Sequence, residues 1–197
     1  MSVKHKNIIE DPEDLLCEVA KILQELKISY VITGGFAVAI WGRPRFTADI
    51  DIIVELLDKN ILGLAKKLLL LDKDSYLDIT AIKNALVNRG EFNFIHANTG
   101  MKVDFWIRNS EFDRLKIKHA VCKQIKHRKI NFVSPEDLIL SKLLCYKKNK
   151  SERDLEDIKS ILKFSKVSLR YIKKFSQKHS TENIFKNIRQ PLYRSDL

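Results

Sequence analysis

The chain has 197 residues, 45% of them hydrophobic and 31% charged, with a formal net charge of +11. That length holds one domain, or one domain with a small helical appendage, and the composition excludes disordered and fibrous classes. No apolar run is long enough to span a bilayer, residues 1–6 lack a signal-peptide core, and Cys17, Cys122 and Cys145 are too few and too widely spaced for a disulfide frame or zinc site. A cytoplasmic protein with reduced thiols and no membrane partner is expected.

In chain order, Asp11-Pro12-Glu13-Asp14 is a helix start, with a capping aspartate, proline at the first position and acids suited to the helix dipole. Leu15, Leu16, Val19, Ile22, Leu23 and Leu26 then form a broad apolar stripe that should pack on a sheet, with the helix ending near Lys27. Residues 30–33 are a β-branched, apolar run that reads as a strand. Gly34 and Gly35 stop it where a short helix can begin, and the exposed N–H groups there suit a phosphate.

After a basic loop, Ala48, Ile50, Ile52 and Val54 alternate with Asp49, Asp51, Ile53 and Glu55. A period of two puts Asp49 and Asp51 on one strand face, their α-carbons about 6.7 Å apart. At an effective dielectric near 20 they repel by roughly 2.5 kcal/mol if desolvated. Either this face is simply wet, or a cation such as Mg²⁺ cancels the repulsion.

Asp58 is positioned to cap a helix holding Ile61, Leu62, Ala65, Leu68 and Leu69, and residues 72–79 read as a loop. Ile82, Ala85 and Leu86 mark a short helix closed by Gly90. Residues 92–96 and 101–107 predict a hairpin turning at Asn98-Thr99-Gly100. On its second strand Val103, Phe105 and Ile107 alternate with Lys102, Asp104 and Trp106, which gives the chain a third strand aspartate.

Residues 114–129 are the densest basic region, followed by a short strand over 129–133. Ser134-Pro135-Glu136-Asp137 is a capping pattern that opens a helix carrying Leu138, Ile139, Leu143 and Leu144. Residues 147–150 read as a connecting loop, Ser151 as the cap of a helix through Leu162, and residues 167–178 and 182–189 as two more helices before an irregular tail. Five histidines show no metal spacing and are expected at the surface or in loops. The charge is uneven: residues 1–100 carry 12 Lys/Arg against 14 Asp/Glu, and residues 101–197 carry 24 against 11. A basic second half suits a polyanion, or is only a solvated lysine-rich face.

Two glycines, thirteen residues, Asp-x-Asp and a distant strand aspartate together resemble the signature of the nucleotidyltransferase (DNA polymerase β-like) superfamily. Gly42-Arg43-Pro44-Arg45-Phe46-Thr47, Glu91-Phe92-Asn93-Phe94, the run from Ser134 to Leu143, and Ser151-Glu152-Arg153 with Asp157-Ile158 look like the AbiEii-type abortive-infection branch and its relatives. The resemblance covers residues 12–163. It implies an α/β (α+β) nucleotidyltransferase fold, with a mixed sheet packed by helices over 1–133 and a small helical subdomain over 134–197. It implies two Mg²⁺ ions, replaceable by Mn²⁺, on Asp49, Asp51 and Asp104. It places the nucleoside triphosphate on Gly34, Gly35, Arg45, Thr47, Lys142 and Asp157, with Asp157 orienting Lys142.

The activity so implied is transfer of a nucleoside monophosphate to an acceptor hydroxyl. RNA, especially tRNA, is the favoured acceptor, approaching along residues 114–129 and 147–150; a protein or small molecule is the other choice. A toxin role with a cognate antitoxin goes with that branch. The residues by themselves leave three alternatives open: Arg45 as a partner of Asp49 or Asp51, Lys142 as a snorkelling helix lysine, and Arg153–Asp157 as a surface i,i+4 pair. A different class of function also stays open, a catalytically weak binding protein that acts as antitoxin or RNA-binding module.

Overall fold

The protein was analysed as a computed structural model, which describes residues 9–192. Two strands lie at its centre. β1 (Tyr30–Thr33) and β2 (Asp49–Val54) pair antiparallel, joined by α2 (Gly34–Trp41) and the loop over residues 42–48. The β-branched residues Val31, Ile32, Ile50, Ile52 and Val54 are almost completely buried, as residues that suit a pleated, covered surface should be.

Outward from β2 lie β5 (Lys102–Ile107), β4 (Glu91–Ile95) and the two-residue β3 (Tyr76–Leu77); outward from β1 lie β7 (Arg128–Phe132) and β6 (Val121–Ile125). Among the described residues this is a seven-stranded mixed sheet of order β3-β4-β5-β2-β1-β7-β6. β2 with β5 and β1 with β7 are the parallel pairs. A parallel pair needs a long crossover. The one between β2 and β5 is built from α3 (Ile61–Leu69), α4 (Ile79–Asn88) and the β3–β4 pair. Phe92 and Phe105 stack across β4 and β5 with centroids 4.8 Å apart, which anchors β5 from its outer side.

The expected helix α1 (Pro12–Glu25) is present, and Asp11 caps it by accepting from the Asp14 amide. Ser134 likewise caps α6 (Pro135–Asn149) by accepting from the Asp137 amide. α7 (Glu152–Phe164), α8 (Leu169–Lys178) and α9 (Glu182–Leu192) follow, and Ile158, Ile161, Ile172 and Phe185 join the sheet's buried cluster.

Several local expectations give way. Asp58 opens a 3-10 turn (Asp58–Asn60), so α3 starts without a side-chain cap. Residues 72–79 are not a plain loop, because β3 pairs with β4 and Asp78 caps α4. α4 ends on Arg89 in the left-handed conformation, at φ 51°, one residue before the glycine expected to close it. The basic region holds α5 (Glu111–Lys118) and β6, neither of which buries a residue fully, so an apolar-pattern reading finds little contrast in them. Lys147, Lys148 and Asn149 continue α6, and Lys150 alone turns left-handed. Ser151 stands at the start of α7 without a side-chain capping bond. His96 is buried, with Nδ1 2.9 Å from the Thr99 hydroxyl, because a tight turn encloses it. The irregular tail and His5 lie outside the described residues.

Candidate active site

Register does the first work. On β2, Asp49 and Asp51 face away from the buried Ile50 and Ile52, and parallel pairing sets Asp51 beside Asp104 and Asp49 beside Lys102 on β5. β1 lies on the other side of β2, with Thr33 opposite Asp51 and the chain turning at once into Gly34. Gly34 has φ +60°, and a β-carbon there would collide with Asp51 Oδ2. Only glycine supplies both that backbone and that approach. A β-carbon at Gly35 would likewise strike the Thr47 hydroxyl, so the loop before β2 closes directly over the start of α2. Thr33 makes no side-chain cap, leaving the first amides of α2 to another acceptor.

Burial, followed by the neighbouring Asp104, pushes the Asp51 carboxyl above the usual carboxylate range; a hydrogen bond from the Trp106 side chain only partly opposes this. The Lys102 ammonium stands 2.7 Å from Asp104 Oδ2 and 4.0 Å from Asp49 Oδ1, and the Asp104 hydrogen bond holds it above the ordinary lysine value. As they stand, no three acid, histidine or cysteine side chains among the described residues converge as a ready ligand set.

The other predicted residues meet at Asp157. Arg45 grips it bidentately, Nε to Oδ1 at 2.8 Å and Nη2 to Oδ2 at 2.9 Å. Lys142, on α6, reaches Asp157 Oδ2 and Asp154 Oδ1, each at 2.9 Å. Burial alone would raise the Asp157 pKa, but hydrogen bonds from Arg45 and Lys142 outweigh it and hold the carboxyl low. Burial likewise opposes the charge on Lys142, and its two aspartates more than restore it. Two open alternatives fall here. Arg45 pairs with neither Asp49 nor Asp51, because α7 presents a better-buried carboxylate to it. Arg153 donates to the Phe46 carbonyl and not to Asp157, because Asp157 points inward from α7.

The expected acceptor path is partly occupied. Within residues 114–129, Arg114 pairs with Glu111, Lys116 with Asp113, and Lys126 with Asp11 and Asp14, while Lys123 covers the Trp41 ring. Lys147 donates to the His179 carbonyl and Lys150 lies over Tyr146. Lys118, Lys129 and Lys148 have no carboxylate partner among the described residues.

Two cavities flank the 43–47 loop. One of ≈ 370 Å³ is lined by Arg43, Arg45, Asp157, Lys159 and Lys163 among others. The other, ≈ 500 Å³, is lined by Leu16, Phe36, Ile40, Phe132, Arg45 and Thr47 among others. The three aspartates line neither. Sequence reasoning missed Lys102, Trp106 and Asp154. The period of two that located Asp104 also puts Lys102 and Trp106 on its face; Asp154 carries no such signal.

A family model described as a nucleotidyltransferase of unknown function (DUF6036) matches residues 13–191. Among solved structures, the fold is similar to an antigenic nucleotidyltransferase-like protein from Paracoccidioides brasiliensis, with TM-score 0.62 and 19% identity over 93% of this chain and 90% of that one. It is also similar to the antibiotic-resistance factor ANT(2'')-Ia in solution, with TM-score 0.56 and 12% identity over 93% and 96% of the two chains. A third likeness is to the lincosamide antibiotic adenylyltransferase LnuA bound to lincomycin, with TM-score 0.51 and 16% identity over 81% and 100%. At such identities these likenesses establish the fold alone. No curated protein matches the chain. Among the described residues no helix is long and apolar enough to cross a membrane.

Two stability measurements follow from the charges. Asp157→Ala leaves Arg45 without a carboxylate partner and Lys142 with Asp154 alone, and should cost about 2–4 kcal/mol in a urea melt, somewhat below a fully buried pair because Arg45 keeps solvent contact. Asp51→Asn should act the other way in metal-free buffer. The folded Asp51 pKa lies above 3.8, so its ionised form destabilises the fold at neutral pH, and that penalty fades as pH falls through the raised value. Melts should therefore show the variant more stable than the parent at neutral pH, with the difference shrinking as pH falls and vanishing below pH 3.8. An equal gain at both pH values would mean that Asp51 carries no charge penalty.

Proposed function

We propose that this chain, which belongs to the family of nucleotidyltransferases of unknown function (DUF6036), transfers a nucleoside monophosphate from a nucleoside triphosphate to an acceptor hydroxyl. The observation that carries the reading is the register of β2 and β5. It gathers Asp51, Asp104 and Asp49 on one face while Gly34 brings an uncapped helix start against Asp51.

The donor set fits a hard divalent ion. All three side chains offer carboxylate oxygens, and the raised Asp51 pKa marks a cluster short of positive charge. Asp49, Asp51 and Asp104 would hold Mg²⁺, as two ions replaceable by Mn²⁺. When bound, the metal neutralises charge on the triphosphate and activates the attacking hydroxyl. The amides of Gly34 and Gly35 cradle the β- and γ-phosphates. Lys142 adds a cation held in place by Asp154 and Asp157. Arg45 and Thr47 set the loop over the phosphates. The acceptor oxygen attacks the α-phosphorus in line, and the bond to the β-phosphate oxygen breaks to release pyrophosphate.

RNA, with tRNA foremost, is the acceptor proposed, within an AbiEii-type toxin that a cognate antitoxin restrains. The net positive charge of residues 101–197 supports it. A second reading, a small-molecule acceptor, is favoured by the ≈ 500 Å³ apolar cavity beside Arg45 and Thr47, a volume that suits a drug-sized ligand. LnuA, of the same fold, was solved with lincomycin bound.

Incubation with each α-labelled triphosphate and Mg²⁺ should transfer label to an acceptor, and Asp49→Asn, Asp51→Asn and Asp104→Asn should each abolish transfer while remaining folded. Full transfer by any of the three would end the reading. Filter binding of tRNA across a salt series separates the acceptors. Replacing Lys147, Lys148 and Lys150 with alanine should lower the log–log salt slope by about 2–3 units, if all three meet phosphates. A slope near zero for the parent protein would leave the small-molecule acceptor standing.

A further inference from the structure

Lys102 opens β5 two residues before Asp104, so the strand period puts it on the same face as Asp104 and Trp106. Parallel pairing sets Asp49 beside it on β2. Its ammonium, 2.7 Å from Asp104 Oδ2 and 4.0 Å from Asp49 Oδ1, stands among the carboxylates proposed to take a divalent ion. The other cations nearby are held elsewhere: Lys142 by Asp154 and Asp157, Arg45 by Asp157. The Lys102 side chain is 42% exposed, and its flexible stem gives the ammonium a path to solvent that leaves the core untouched.

We propose that Lys102 is a tethered counter-cation, which holds the aspartate cluster together in the metal-free protein and leaves it when a divalent ion binds. The inference rests on the reading that Asp49, Asp51 and Asp104 take such an ion. An ammonium and a divalent ion cannot both sit within ion-pair distance of the same carboxylate oxygens without strong repulsion. Whichever binds excludes the other. Lys102 therefore lowers the affinity of the cluster for metal alone. A metal arriving on a triphosphate meets a smaller obstacle, because the phosphates offer the displaced ammonium a new partner. The residue thus biases the site toward the metal–nucleotide complex over the free ion.

The test titrates Mn²⁺, without nucleotide, into the parent protein, Lys102→Met and Lys102→Arg, followed by the electron paramagnetic resonance of free Mn²⁺. Lys102→Met should bind Mn²⁺ about tenfold more tightly than the parent or better, and Lys102→Arg, which keeps the charge, should stay near the parent. Equal or weaker binding by Lys102→Met overturns the proposal, because the lysine would then be positioning Asp104 for the metal. A second arm needs no substitution: the Lys102 side-chain nitrogen resonance of the parent should shift as Mg²⁺ is added. A resonance unmoved in a parent protein that has taken up the ion overturns the proposal even if Lys102→Met fails to fold. Mn²⁺ uptake by Lys102→Met but not by the parent supports it. Uptake by no variant refutes the metal assignment itself, an outcome distinct from unaltered affinity.

Discussion

Everything at this site depends on gathering like charges. Parallel pairing of β2 with β5 brings Asp51 beside Asp104, and the β2 period keeps Asp49 on the same face. Such a cluster costs stability unless cations answer it, and a fold built for stability alone would scatter these residues. The β1–β2 pair and the Phe92–Phe105 stack hold the two strands in register from either side, so the repulsion is not relieved by the strands slipping. Gly34 makes the crowding tighter still, since the helix start presses against the Asp51 carboxylate.

The cations that answer it arrive along two routes. Lys102 comes from β5 itself and meets Asp104 and Asp49 directly. Lys142 comes from α6 and contributes to the field at Asp51 while Asp154 and Asp157 keep it charged. Asp157 also locks Arg45, so one buried carboxylate ties the loop before β2 to two C-terminal helices. The loop before β2 is therefore braced by residues more than a hundred positions downstream. That bracing gives α6 and α7 a part in the site beyond their share of the buried cluster.

Elements whose signal is an apolar period or a cap are legible in the sequence alone: α1 with Asp11, α6 with Ser134, the β4–β5 hairpin at Gly100, and the two aspartate-bearing strands. Elements that bury no residue fully are not. α5 and β6 hide in a basic stretch because most of their side chains are half-buried or exposed and carry little apolar contrast. The left-handed residue at the end of α4 is an arginine, where a glycine was the local expectation, because the geometry of the helix end selects the conformation and the residue there only has to tolerate it.

By itself the sequence determined which face of each strand carries Asp49, Asp51 and Asp104, that glycines stand where a helix start needs them, and that the chain resembles nucleotidyltransferases. These follow from a few neighbouring residues, since side-chain alternation and capping are local consequences of backbone geometry. Only the tertiary structure decided which cation meets which carboxylate: Arg45 with Asp157, Lys142 with Asp154 and Asp157, and Lys102 with Asp104 and Asp49; it also enclosed His96 in the interior. Ion pairing at a few ångströms depends on strand order and helix docking, and these emerge from long-range packing that no short stretch of chain encodes.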